Sequence, residues 1–92
     1  MKDTTLKKTF VIKNKLGLHA RPAALFVQTS NKFKSKITVT KDGEEVNGKS
    51  IMGLMMLAAE AGSKIIVKVA GEDAKELLAK LEELIIKKFD EE

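Results

Sequence analysis

The single histidine of this 92-residue chain lies in a segment whose residue types suit the handling of a phosphate group. His19, Arg21 and Pro22 are each the only residue of their type, and they fall within four consecutive positions. Because proline has no N–H to donate, a helix is expected to begin about here, with His19 and Arg21 at its N-terminal mouth. Exposed N–H groups and the helix dipole favour an anion there, and an arginine can hold phosphate oxygens as a planar fork. The segment therefore predicts a histidine that accepts and passes on a phosphoryl group, with Arg21 as its clamp.

The loop before this helix is expected to approach the phosphate closely, since a glycine places few steric limits on the backbone. The loop and helix start that would surround the group comprise Gly17, Leu18, Ala20 and Pro22. Hydrolytic catalysis is disfavoured, because the sequence has no Cys, no G-x-S-x-G elbow and too little chain to wall a substrate pocket. One His without Cys also provides no multi-histidine or thiolate metal site. We therefore expect a phosphocarrier that is not a turnover enzyme and that needs no metal and no bound cofactor.

Hydrophobic spacing predicts seven elements that would hold this segment in place. The spacing favours strands at residues 6–13, 36–40, 44–46 and 64–70, and helices at residues 20–32, 50–57 and 73–89. The order is β-α-β-β-α-β-α, and alternation along the strands buries one face while the other meets solvent. The predicted fold is α+β, an open-faced β-sandwich in which a four-stranded antiparallel sheet carries three helices on one side.

Length and composition predict one intracellular domain. The chain has no linker or repeat, so we expect a single domain over residues 1–92, acting as a monomer. The lack of Cys, the charged start and the absence of a long apolar run favour a cytoplasmic protein without membrane insertion. A net charge of +4 indicates a mild preference for anionic partners. Nucleic acid is disfavoured, because the lysines are dispersed and the chain has no Trp or Tyr for base stacking.

The short predicted helix at residues 50–57 is rich in methionine. Ser50 precedes its apolar residues, a position in which serine is a preferred N-cap. So many apolar side chains in one short helix are expected to leave some exposed as an adaptable contact surface. The residues that we expect to serve partner docking are Met52, Leu54 and Met55.

Residues 43–50, GEEVNGKS, fit the P-loop pattern G-x-x-x-x-G-K-[ST] and open a second interpretation, nucleotide binding. A P-loop follows a buried strand directly, whereas Asp42-Gly43 predicts a hairpin turn and residues 44–46 its return strand. Two glutamates in the loop would also face a triphosphate. The context therefore disfavours this alternative.

The sequence GLHARPAA at residues 17–24, followed by NGKSIMGLM at residues 47–55, resembles the HPr family, the histidine-containing phosphocarriers of the bacterial sugar phosphotransferase system. The similarity covers essentially the whole chain. It implies that enzyme I, charged by phosphoenolpyruvate, phosphorylates His19 on Nδ1, that Arg21 clamps the phosphate, and that enzyme IIA domains then take the group. It also implies that Ser50 matches the family's regulatory serine, with HPr kinase/phosphorylase and a catabolite-control transcription regulator as further partners.

Some positions depart from the family pattern. Leu16 stands where many members carry Thr or Ser beside the active histidine, and Met56 and Ala58 replace residues that are often Ser and Gly. Residues 14–17, NKLG, are shared with the nitrogen-branch phosphocarrier, which is the alternative within the same class, although residues 49–53 favour the sugar branch. A structural interaction domain with an inactive histidine loop is a third hypothesis.

Overall fold

A computed structural model describes residues 4–90 of the chain. Its elements are β1 (Thr4–Val11), α1 (Ala20–Ser30), β2 (Lys36–Lys41), β3 (Glu44–Asn47), α2 (Ile51–Met56), β4 (Lys64–Gly71) and α3 (Ala74–Ile86), followed by a 3₁₀ turn at Lys88–Asp90. The predicted order of strands and helices and the α+β class are confirmed. β1 begins and ends two residues earlier than the sequence pattern indicated.

The four strands form one sheet in the order β1-β4-β2-β3, and every neighbouring pair is antiparallel. The two central strands carry the clearest alternation: Ile65, Val67 and Val69 of β4 are buried, as are Ile37 and Val39 of β2. The residues between them are exposed or half-buried. The sheet therefore has one face inside the protein and one open face.

The three helices cover the inner face. α3 packs over β1 and β4, while α1 packs against both α2 and α3. Buried residues of α3 recur every three or four positions, so one side of the helix faces the core. Between sheet and helices lies the core, whose largest fully buried apolar side chains include Ile12, Phe26, Leu54, Leu77 and Leu81.

β2 and β3 are joined by a tight turn at Asp42-Gly43. Both residues have positive φ, 50° and 84°, as a two-residue hairpin turn of type I′ requires. Residues 44–47 then pair with β2 as a strand. This segment is therefore extended edge strand and does not wrap a phosphate, which disfavours the P-loop interpretation.

The end of the chain departs from the predicted helix over residues 73–89. α3 stops at Ile86, and Lys88 and Phe89 have left-handed φ values of 54° and 55°. Phe89 is 1 % exposed and lines a shallow cavity with Ala24 and Leu25 of α1. The prediction of a longer helix is wrong because this packing outweighs local helix propensity.

The connection from α1 to β2 is fastened by Asp73, the N-cap residue of α3. Its carboxylate accepts hydrogen bonds from the backbone N–H of Lys34 (2.8 Å) and of Ser35 (3.0 Å), and from the Ser35 hydroxyl. These bonds, first that of the Ser35 hydroxyl and then that of the Lys34 N–H, hold the pKa of Asp73 below its ordinary value of 3.8. Asp73 thus ties together segments that are 38 residues apart in the sequence.

A charged side chain points from the edge strand β1 toward the helices. Lys8 is paired across the sheet with the inward-facing Val67. Its Nζ lies 2.8 Å from a carboxylate oxygen of Glu82 on α3 and 5.6 Å from the centre of the Phe10 ring. Lys8 therefore joins β1 to α3 on the inner side of the sheet edge.

Among residues 4–90, no helix is both long enough and apolar enough to cross a membrane.

Candidate functional site

His19 is the N-cap residue of α1. Its backbone is extended (φ −82°, ψ −168°), and its carbonyl oxygen accepts the first helical hydrogen bond, from the N–H of Ala23 at 3.0 Å. The imidazole does not cap the helix, and the residue is partly exposed. The backbone of His19 therefore starts the helix, while its ring stands at the helix mouth.

The first turn of α1 presents hydrogen-bond donors to this mouth. Ala20 and Arg21 are its first two residues, positions whose N–H groups have no acceptor within a helix. Pro22, the third, has no N–H and is buried. α1 begins at Ala20, as the sequence spacing predicted, so Arg21 is helical although it precedes a proline. The side chain of Arg21 is exposed, so its guanidinium is accessible to a phosphate bound at the mouth.

The loop that leads to His19 is closed by a buried asparagine. The N–H of Gly17 donates to the carbonyl of Asn14 at 3.0 Å, and the Asn14 side-chain amide donates to the carbonyl of Gly17 at 2.6 Å. Gly17 has a φ of 71°, and a Cβ at this position would collide with the carbonyl oxygen of Ala59. Glycine is therefore required at position 17 both by the backbone conformation and by the close approach of a second loop.

This second loop, residues 58–63, braces the histidine loop along its length. Leu18 N–H donates to the carbonyl of Ala59 (2.8 Å), Ile12 N–H to that of Ser63 (2.9 Å), and Gly62 N–H to that of Ile12 (2.7 Å). Sequence reasoning identified Gly17 and Leu18 but missed the contribution of Ala59. The sequence around Ala59 shows only that it follows the short helix. Its contact with Leu18 forms only in the folded protein, so the local sequence could not predict it.

Ser50 is the N-cap residue of α2, as the sequence predicted. Its Oγ accepts a hydrogen bond from the N–H of Gly53 at 2.9 Å, and the residue is half-buried. The preceding Lys49 is anchored separately, by a hydrogen bond from its Nζ to the carbonyl of Phe33 (2.8 Å). Since α1 packs against α2, Ser50 and His19 begin two neighbouring helices.

α2 exposes a group of apolar side chains, here called the α2 patch: Ile51 (40 % exposed), Met52 (72 %), Met55 (42 %) and Met56 (67 %). Two of its members, Met52 and Met55, were predicted as contact residues. The prediction for Leu54 is wrong, because its side chain is fully buried in the core and offers no contact surface. Met56 was not selected as a contact residue, although it is more exposed than Met55.

Leu16 is 73 % exposed in the loop that precedes His19. A large apolar side chain therefore meets solvent three positions before the histidine. No group of three or more His, Cys, Asp or Glu side chains within residues 4–90 could hold a metal ion.

Known proteins are similar to this chain over most of its length. The family model described as "PTS HPr component phosphorylation site" matches residues 6–87. The phosphocarrier protein HPr of Xylella fastidiosa is 47 % identical over 87 residues, which cover 95 % of this chain and 98 % of that protein. The HPr-like protein Crh of Bacillus subtilis is 53 % identical over 70 residues, covering 76 % and 82 % of the two chains.

Solved structures agree with the fold. A crystal structure of HPr from Thermoanaerobacter tengcongensis superposes with a TM-score of 0.91 at 52 % identity, covering 95 % of this chain and 98 % of the other. A crystal structure described as an HPr dimer from the same organism has a TM-score of 0.76 at 52 % identity, covering 89 % and 94 %.

Proposed function

Since this chain belongs to the HPr family of phosphocarriers of the phosphotransferase system, we propose that His19 is its phosphoryl acceptor. In this proposal enzyme I, charged by phosphoenolpyruvate, donates the group to His19, and enzyme IIA domains remove it. The protein is then a carrier that is transiently modified and regenerated. It differs from a turnover enzyme because the group that it receives is passed on to another protein.

The observation that carries the proposal is the position of His19 at the mouth of α1. A ring nitrogen lone pair attacks phosphorus, a nitrogen–phosphorus bond forms, and the bond from phosphorus to the donor breaks. The phosphoryl oxygens then lie near the N–H groups of Ala20 and Arg21 and the Arg21 guanidinium, which offset their negative charge. Transfer to the next protein reverses these steps, so the same donors support acceptance and release.

A mass measurement tests this step directly. The purified protein is incubated with enzyme I and phosphoenolpyruvate, and its intact mass is recorded with and without acid treatment. We expect one phosphoryl group that acid removes and that is absent from His19→Ala. An unchanged mass with a competent, species-matched enzyme I would contradict the proposal.

We further propose that the α2 patch receives the partner proteins. Exposed methionines adapt their shape to different surfaces, which suits a carrier that must dock first on enzyme I and then on several enzyme IIA domains. Met52→Ser is expected to raise the concentration of enzyme I needed for half-maximal transfer. Leu54 belongs to the core and is not part of this docking proposal.

Regulation at Ser50 is a separate part of the proposal. Phosphorylation there would add about −1.5 to −2 charges beside the α2 patch and would convert the Oγ that now caps α2 into a phosphate ester oxygen. We expect the added charge to weaken docking on enzyme I, with HPr kinase/phosphorylase as the modifying enzyme and a catabolite-control transcription regulator as reader. Equal transfer rates for wild type and Ser50→Asp would count against this role.

We also propose that the chain functions as one domain, residues 1–92, and as a monomer in the cytoplasm. Light scattering after size-exclusion chromatography measures the molar mass and so tests for a monomer, since a dimer would have twice the mass. Cell fractionation tests the location.

A further inference from the structure

The open face of the sheet, which no step of phosphoryl transfer uses, carries an excess of positive charge. Alternation along the strands places Lys7 of β1, Lys36 of β2, and Lys64 and Lys68 of β4 on this face. Glu45 on β3 is the acidic residue among the outward-facing strand positions. Four lysines thus share one broad surface with a single carboxylate.

Three of these lysines form a cluster. Lys68 lies directly across from Lys7 on one side and from Thr38 on the other, and Lys36 is diagonal to it. Cβ atoms of such neighbours lie about 5 Å apart when directly opposite and about 7–8 Å apart when diagonal, and like charges opposite one another are destabilising. Within residues 4–90 none of the three forms an ion pair. The fold therefore retains a repulsive cluster that an external anionic surface would relieve.

The other end of the same face carries two exposed aliphatic side chains, one of them directly opposite Lys64. Val11 of β1 is 40 % exposed and Ile66 of β4 is 37 % exposed, where the outer face of a half-solvated sheet usually carries polar residues. Val11 lies four residues beyond Lys7 along β1, about 13 Å at the rise of a strand. The open face therefore combines a lysine cluster with a small aliphatic patch.

Several partners can be compared with this chemistry. A second copy of the chain would bring its own lysines against the cluster and be repelled. Protein interfaces draw their affinity mainly from Trp, Tyr and Arg, and none of these lies among the outward-facing positions of the strands. Bases stack on aromatic side chains, and none lies among the outward-facing positions of the strands. Hydrated lysines on a flat surface instead match a planar array of lipid phosphates, to which each basic residue adds affinity nearly independently.

We propose that the open face of the sheet binds an anionic lipid surface, with Lys7, Lys36 and Lys68 against the headgroups and Val11 and Ile66 against the interface. The contact is peripheral and reversible, because the aliphatic area is small. The helical layer then points away from the lipid, so the α2 patch stays open to protein partners during contact.

Vesicle sedimentation tests the proposal with the full-length unphosphorylated protein. The vesicles are phosphatidylcholine alone or phosphatidylcholine mixed with phosphatidylglycerol, at low and high salt. We expect binding to the anionic vesicles only, weakened by salt. The double variant Lys7→Gln, Lys68→Gln is expected to bind about 25-fold more weakly, since each basic residue near such a surface contributes about fivefold.

The matched control is Lys75→Gln, Lys80→Gln, which removes the same net charge from exposed positions of α3. This control is expected to lose little of the binding. An equal loss in both double variants would overturn the proposal, because it would reduce the effect to net charge. A lack of binding to anionic vesicles would also overturn the proposal, even if the same lysines were found to bind an acidic protein. Phosphorylation by enzyme I without vesicles should be unchanged in both variants, and vesicle binding can be measured even if that reaction fails.

Discussion

In the proposed function, backbone N–H groups at both ends of the α1 region face an anion, but the two anions have different sources. After the C-terminal end of α1, the N–H groups of Lys34 and Ser35 are occupied by the carboxylate of Asp73. At the N-terminal end, the first turn of α1 contains no acidic residue. The end that contains Lys34 and Ser35 is here called the fixed end, because the carboxylate of Asp73 belongs to the protein and stays in place. The N-terminal end of α1 is here called the exchangeable end. Because the helix supplies no anion there, this end is suited to a phosphate that binds and leaves.

Of the variants that test this comparison, Arg21→Ala is expected to have the largest effect, because it removes a cation from the exchangeable end. We expect phosphorylation of His19 by enzyme I to slow by about 10²–10³-fold, the usual cost of losing one donor to a developing oxyanion. Thermal stability should change little, since the side chain is exposed. Rapid quenching followed by intact mass gives the rate. Arg21→Lys should recover part of the loss, and an unaffected rate in Arg21→Ala would remove the arginine from the site.

Gly17→Ala tests whether the exchangeable end depends on its bracing loop. A left-handed backbone costs a residue with a Cβ about 1–2 kcal/mol, and the overlap with the Ala59 carbonyl adds about 1–3 kcal/mol. We therefore expect the free energy of unfolding in urea to fall by about 2–5 kcal/mol. Gly43→Ala is a matched control, because its φ is also positive but nothing lies within 4 Å of the added Cβ. If the two variants lost equal stability, the contact with Ala59 would carry no energy.

Ala20→Glu would give the exchangeable end an acid of its own and so make it resemble the Asp73 end. The carboxylate should stabilise the first turn by about 0.3–1 kcal/mol while competing with the phosphoryl group for the same donors. We expect phosphorylation about tenfold slower with an equal or higher melting temperature, an estimate that corresponds to about 1.4 kcal/mol of lost stabilisation. Ala20→Gln, which has the same shape without the charge, should transfer at nearly the wild-type rate. Equal rates for the Glu and Gln variants would show that charge at the first turn is unimportant.

The smallest effect concerns the fixed end and its pH dependence. Because the folded pKa of Asp73 lies below its ordinary value of 3.8, its contribution to stability is present above that pH and is lost as the pH falls through the folded pKa. We expect wild type to be more stable than Asp73→Asn at pH 7, with the difference shrinking below pH 3.8. Urea unfolding at a series of pH values measures it. A difference that did not change with pH would mean that the bonds of Asp73 do not depend on its charge.

Much of the exchangeable end could be predicted from sequence, because its signals are local. The unique His19, Arg21 and Pro22 lie together, and helix-start rules apply to residues a few positions apart. The fixed end gave no such signal, since Asp73 and Ser35 meet only after the sheet has formed. Periodicity alone also placed Leu54 on the surface, because it could not decide which side of a six-residue helix faces the core. The end of α3 was missed because it also depends on tertiary packing: Phe89 leaves the helix to pack against α1.

The pairing of Lys8 with Glu82 has a consequence for how the chain meets other chains. β1 is an edge of the sheet, and an edge strand presents backbone groups that a further strand can extend. A newly added strand would need an apolar inner face to continue the core, but it would lie beside a charged side chain already engaged with α3. Inward-pointing charges of this kind discourage open-ended growth of sheets. Lys8, held by Glu82, thus gives this edge of the sheet a charge of the kind that disfavours pairing with a further strand.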